Sequence, residues 1–307
     1  MIHKIVGFMG AEYPTLHALT HEPCGSNAES PPQASTCATL PRIPQLTNAQ
    51  VADVAVALYE AELNWAPIEA VSAQFPDADI EDAYRISQAV TDLKVAAGRQ
   101  IKGLKIGLTS KAMRSLSGAT EPDYGTLFDN WFILEGDTVP RSKMNHPLVE
   151  VELAFVLKRA LRGPGINVAD VIAATDFVLP SIEIVDTRQH RGGTRMLVDS
   201  IADAAACGFV ILGANPFKLS DIDVRNVGAT LSINGDIEES GMARAVMGNP
   251  INAVTWLINK LSDYGVAAET GHTILSGSFI KAIPFKTGDN VEALFNLGLG
   301  EVSFRAV

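Results

Sequence analysis

Two apolar stretches that carry acids constrain what this chain can fold into. The first is Leu148-Val149-Glu150-Val151-Glu152-Leu153-Ala154-Phe155-Val156-Leu157 and the second is Leu179-Pro180-Ser181-Ile182-Glu183-Ile184-Val185-Asp186. Both have strand length and strand composition, and side chains along a strand alternate between its faces. Glu150, Glu152, Ala154 and Val156 therefore share one face. A bare Glu-x-Glu reads first as the solvent side of a half-buried strand. Here the same face turns apolar at once, which directs the acids into an interior, where ionised carboxylates need a counter-charge. Glu183 taken alone is an edge residue or the acceptor of a buried arginine. Three acids in two apolar strands, without a nearby run of Lys or Arg, point instead to a cation. All-oxygen ligation favours Mg²⁺, then Mn²⁺ or Ca²⁺.

A formal charge of −11 repels phosphate backbones and anionic lipids, so no nucleic acid or membrane partner is expected. A small anionic substrate still binds where a metal inverts the local field. The three cysteines, Cys24, Cys37 and Cys207, have no short repeated spacing, which suits a reducing, cytoplasmic setting, with Cys207 as a buried core thiol. No apolar run approaches the ~20 residues that span a bilayer, and Ile5–Met9 is too short for a signal-peptide core.

Residues 1–45 are rich in Pro, Ser, Thr and Ala without a persistent period, and are expected to be a flexible extension. Within them His17, His21, Cys24 and Cys37 lack the paired spacing of a zinc site. Thr47-Asn48-Ala49-Gln50 is a capping box that opens a helix to about Asn64, and a second helix runs from near Asp79 to Gly98. Together they make a small helical lobe over 46–100. A β-rich core follows over 101–307, with strands expected at 150–157, 178–185, 207–213, 229–234, 237–241, 279–283, 290–296 and 301–306. Asn234-Gly235 marks a hairpin, and one helix is expected from the Asn249-Pro250 cap to Gly265. The class is α+β.

Two further segments bear chemistry. In Gly103-Leu104-Lys105-Ile106-Gly107, the lysine is either a snorkelling surface residue or a charged head carried into a pocket by a tight backbone. Glu121-Pro122-Asp123-Tyr124-Gly125 reads as a polar turn.

Taken in order, these segments resemble the fumarylacetoacetate hydrolase superfamily, in particular its 2-oxo acid hydratases and decarboxylases. The resemblance spans about residues 50–307. Its motifs are Gly103–Met113, Glu121–Gly125, Val149–Phe155, Leu161-Arg162-Gly163-Pro164, Ala174-Thr175-Asp176 and Gly277-Ser278-Phe279. It implies a mixed β-roll core, Mg²⁺ or Mn²⁺ on Glu150, Glu152 and Glu183, Lys105 and Asp123 at the reacting centre, and a homo-oligomer. It also implies hydration of a small 2-oxo acid, with a seven-carbon diacid expected, and a substrate contact at Ser278. The distal carboxylate of a diacid needs a cation, and Arg188, Arg191 and Arg195 follow the Glu183 strand, Arg188 being the first choice. Hydration of 2-hydroxypenta-2,4-dienoate, or decarboxylation of a 2-oxo diacid such as 4-oxalocrotonate by the same machinery, stands as the alternative, with a non-catalytic subunit of such an enzyme pair behind them. Two departures from the family pattern, Ile280 where a threonine is expected and Leu294–Gly298 in place of an Asp-Tyr-Gly-type segment, bear on specificity.

Overall fold

Thr47 and Asp79 start the two long helices as their sequence requires. Each side chain accepts the backbone N–H three residues on, and Gln50 and Asp82 return the bond, so both helices begin with capping boxes. These helices are α1 (Asn48–Asn64) and α3 (Ile80–Ala96), with the short α2 (Val71–Gln74) between them. The structure, a computed structural model, describes residues 45–190 and 197–307, apart from the side chain of Leu116. The extension expected over 1–45, except its last residue, lies outside the described residues with His17, His21, Cys24 and Cys37. So do Arg191 and Arg195.

The remaining helices are α4 (Lys111–Ser117), α5 (Val168–Ala174), α6 (Leu197–Ala202) and α7 (Pro250–Ser262). The strands are β1 (Ile101–Gly107), β2 (Asp123–Phe128), β3 (Phe132–Ile133), β4 (Thr138–Val139), β5 (Leu148–Leu157), β6 (Thr175–Val185) and β7 (Cys207–Leu212). They continue as β8 (Gly228–Ile233), β9 (Asp236–Met242), β10 (Thr273–Leu275), β11 (Ile283–Pro284), β12 (Asn290–Phe295) and β13 (Gly300–Ala306). One sheet runs β2-β1-β10-β5-β6-β7-β3, with β11 added to β5. The other runs β4-β13-β12-β8-β9. This mixed α+β architecture matches the class read from the sequence.

Period-two patterning sorts the first sheet into two faces. Val149, Val151, Leu153 and Phe155 of β5, with Ile182 and Ile184 of β6, enter a continuous core that also takes Val54, Leu58 and Ile86 from the long helices. The other face carries a smaller cluster of Leu127, Phe128, Trp131, Ala154, Cys207, Val210 and Leu275. Glu150, Glu152 and Glu183 belong to this second face.

Most strands fall within a residue or two of expectation, with three corrections. The strand expected at 279–283 shrinks to Ile283–Pro284, because Gly277 has φ +102° and Ser278 Oγ bonds the Ile280 backbone, which turns the chain. The turn expected at Glu121–Gly125 passes into β2 at Asp123, since β1 offers it an antiparallel partner. Strands β1, β2 and β10 were not among the expected ones, and short helices α4, α5 and α6 accompany α7 in the β-rich part.

Candidate metal and catalytic site

Strand register assembles the acids. Glu150 of β5 lies directly opposite Glu183 of β6, and Glu152 is one pleat along, opposite Ser181. Carboxylate oxygens of Glu150, Glu152 and Glu183 come within 4.8 Å of one another. Glu152 and Glu183 are fully buried, while Glu150 is half-buried at the open end. The strand's apolar flanks thus carry the pair inward, away from the solvent face that Glu-x-Glu alone suggests.

A second row brings the lysine. Gly125, Lys105, Leu275, Ala154 and Leu179 are successive cross-strand neighbours from β2 to β6, so Lys105 shares the face of Ala154 and the glutamates. Lys105 is 3% exposed. This decides between the pocket and the snorkelling alternative. Its Nζ lies 3.0 Å from Glu183 Oε1 as an ion pair and donates to the Ala205 carbonyl at 3.0 Å. Burial works against the ammonium, but Glu183, Glu150 and Asp123 outweigh it and hold the lysine pKa above its ordinary value.

Asp123, two residues before Gly125, projects from the same side of β2 and is buried. Ser200 Oγ donates to Asp123 Oδ2 at 3.1 Å, and Oδ1 has no hydrogen-bond partner among the described residues. Ser200 sits on α6, far away in sequence, and carries no local signal that would have singled it out. Gly277 was part of a motif, but its task was not visible. Its N–H donates to Glu152 Oε2 at 2.8 Å, and a Cβ at this position would come 2.4 Å from the Thr109 side chain. Only glycine combines that contact with φ +102°.

The cluster suits a divalent cation. Glu152 Oε1 and Glu183 Oε2 are buried acceptors without a hydrogen-bond donor among the described residues. Burial first, and then the carboxylates of Glu183 and Glu150, push the Glu152 pKa well above the usual carboxylate range. Among the described residues the two fully buried acids, Glu152 and Glu183, have the Lys105 ammonium as counter-charge, which leaves negative charge in a low-dielectric setting, and the donor set is all oxygen, the preference of a hard ion.

Two residues were expected to touch substrate. Ser278 Oγ is half-buried beside the cluster and bonds the Ile280 backbone. Arg188 pairs with Asp203, and Asp203, Glu62 and Asp186 hold its charge against burial. Of the two departures from the family pattern, Ile280 packs against the main core, Leu294 is exposed on β12 and Leu297 is exposed in the turn between β12 and β13. Cys207 is a free, buried thiol whose pKa is raised by burial and by Glu183.

No family model matches the sequence. The chain is 43% identical over 259 residues to 2-oxo-hept-4-ene-1,7-dioate hydratase of Escherichia coli, covering 83% of this chain and 97% of the relative. It belongs to the fumarylacetoacetate hydrolase superfamily, in its hydratase and decarboxylase branch. Within that superfamily it is also 36% identical over 262 residues to 4-oxalocrotonate decarboxylase of Pseudomonas sp. (strain CF600), covering 85% of this chain and 98% of that one. Among solved structures, 4-oxalocrotonate decarboxylase from Pseudomonas putida G7, complexed with magnesium and adipate, superposes with a TM-score of 0.83 at 36% identity. That match covers 86% of this chain and all of the other.

Proposed function

We propose that this protein is a Mg²⁺-dependent hydratase that adds water to a 2-oxo-enoic acid. Its substrate is 2-oxohept-4-ene-1,7-dioate and its product 4-hydroxy-2-oxoheptane-1,7-dioate, a step in meta-cleavage catabolism of homoprotocatechuate. The observation that carries this reading is the 43% identity to a hydratase over nearly its whole length. The convergent, donor-poor carboxylates support it.

Glu150, Glu152 and Glu183 would hold Mg²⁺ or Mn²⁺, which when bound supplies Lewis-acid polarisation of the substrate's 2-oxo group. Lys105, fixed between Glu183 and Ala205, presents a buried positive charge that stabilises the enolate form during ketonisation. Asp123 supplies the base. Loss of a C3 proton from the 4-ene gives the 2,4-dienolate, and protonation at C5 gives the conjugated 3-ene. With Oδ2 held by Ser200, the donor-free Oδ1 then takes a proton from the water whose oxygen bonds C4, while C3 is protonated to complete the 4-hydroxy-2-oxo acid. Ser278, next to Gly277, supports a substrate contact at the rim. We include self-association, for which the exposed Leu134, Ile237 and Leu297 offer apolar surface, and a reducing cytoplasmic compartment, which the free thiol of Cys207 suits. Among the described residues no helix is long and apolar enough to cross a membrane.

Decarboxylation is the second reading, favoured by the 36% identity and close superposition with 4-oxalocrotonate decarboxylases. A panel of 2-hydroxydienoates with Mg²⁺, followed by absorbance and by CO₂ release, tests both. Hydrated product without CO₂ is expected. CO₂ release from a 2-oxo diacid in place of hydration would overturn the assignment, and no turnover on any dienoate would make the protein a non-catalytic subunit.

A further inference from the structure

Ala204, Ala205 and Ala206 all have positive φ, of +50°, +50° and +58°. Three consecutive non-glycine residues in the left-handed region are costly, because each Cβ crowds backbone oxygen, and such strain persists only where the surroundings over-determine it. Here they do. Asp203 Oδ2 accepts from Thr187 Oγ1 at 2.9 Å and from the Arg188 N–H at 2.8 Å. Arg188 Nε donates to Asp203 Oδ1, Nη2 to the Asp203 carbonyl and Nη1 to the Cys207 carbonyl, so one guanidinium grips the turn at both ends. The Ala206 carbonyl is held by the Asp186 N–H at 2.8 Å. Trp131 stacks beneath the guanidinium, 5.4 Å from ring centre to Cζ.

The turn presses on the reacting face. A Cβ on Gly125 would come 2.1 Å from the Ala204 carbonyl oxygen, so the strand bearing Asp123 is glycine where the turn touches it. The next carbonyl, that of Ala205, receives the Lys105 ammonium. We propose that Arg188 and Asp203 are positioning residues for Lys105, locking a left-handed turn whose central carbonyl holds the ammonium against Glu183. The proposal rests on the reading of Lys105 as a catalytic group. It gives Arg188 a task other than binding the distal carboxylate. It also explains why a strained backbone was kept: in a right-handed turn the Ala205 carbonyl would point elsewhere, and Lys105 would lose its one hydrogen-bond acceptor among the backbone groups.

Arg188 also lines a cavity of about 210 Å³ with Trp65, Trp131, Phe209 and Lys143, where a ligand-contacting role would have to operate. Steady-state kinetics separate the two. Arg188→Lys keeps the charge but cannot hold both ends of the turn. It should lower kcat by about tenfold or more with KM changed less than about twofold, while Mn²⁺ affinity, read by electron paramagnetic resonance, stays at the parent value. Adding Ala205→Gly, which makes the left-handed conformation costless, should restore at least about threefold of kcat. A rise in KM at constant kcat, an unchanged kcat, or no rescue by Ala205→Gly overturns the proposal. Should Arg188→Lys fail to fold, Thr187→Val removes one donor to Asp203 and should cost about threefold in kcat alone; parent kinetics there overturn it equally. Lys105→Met keeps the two questions apart. Its turnover, if retained, sinks the catalytic reading of Lys105, whereas a dead Lys105→Met beside a fully active Arg188→Lys sinks only the positioning role.

Discussion

Two of the groups of buried charges in this protein are built on opposite rules. Around Trp131, Lys94 and Glu62 form an ion pair at 2.7 Å, Trp131 Nε1 donates to the same Glu62 oxygen, and Arg188 pairs with Asp203. Lys94 lies over the rings of Phe128 and Trp131 at 4.2 and 3.9 Å. Charges there balance and donors meet acceptors. In the carboxylate cluster the fully buried Glu152 and Glu183 share the ammonium of Lys105, and among the described residues Glu152 Oε1 and Glu183 Oε2 lack donors. The first arrangement is how a fold settles buried charges that have to meet nothing from outside the chain. The second leaves a deficit that a folded protein tolerates where something else is to bind, and the difference supports reading this cluster as a site without recourse to a motif.

That contrast can be broken by substitution. Glu152→Gln should cut turnover by about a thousandfold, about 4 kcal/mol of barrier. The same change should leave the metal-free protein more stable by about 1 kcal/mol, because it removes a buried like charge. Thermal unfolding in chelator checks this, and a loss of stability would place the cluster with the balanced network. Lys94→Met should do the reverse, costing about 3 kcal/mol in denaturant unfolding by leaving Glu62 without its partner, with a far smaller effect on turnover. Gly277→Ala should weaken Mn²⁺ binding by about tenfold, since Thr109 forces the backbone and its N–H away from Glu152; titration monitored by paramagnetic resonance measures it. Parent affinity would show that Glu152 needs no such support.

The smallest effect is on pH. Burial tends to raise the Glu62 pKa, but Lys94 and Arg188 together win and hold it below the ordinary glutamate value of 4.5. A depressed carboxylate contributes stability that is fully present above 4.5 and drains away as pH falls through the lower folded value. Denaturation midpoints between pH 6 and about 3 should therefore fall less steeply in Lys94→Met than in the parent. Equal slopes would mean that the pair is not what holds Glu62 ionised.

Legibility followed the range of the interaction. Capping boxes at Thr47 and Asp79, the face shared by Glu150 and Glu152 and the apolar setting of Glu183 are local patterns, and local patterns are written in the order of residues. Strands β1 and β2 were missed because their identity depends on each other and on β10, some 150 residues further on from Gly125. Arg188 was expected at the substrate because a loop arginine after a ligand strand has no local sign of its partner. Its partner, Asp203, is 15 residues away, across a segment whose path the pattern does not fix.

By itself, then, the sequence determined which residues are acids in apolar strands, which face they share, and that a hard cation would satisfy them. Tertiary structure decided what surrounds them: that Lys105 meets Glu183 and the Ala205 carbonyl, that Ser200 holds Asp123, and that Gly277 stands where its N–H reaches Glu152. The physical reason is that side-chain alternation is imposed by backbone geometry at every strand. Which donor reaches which acceptor is fixed only when distant strands pair and the turns between them are clamped.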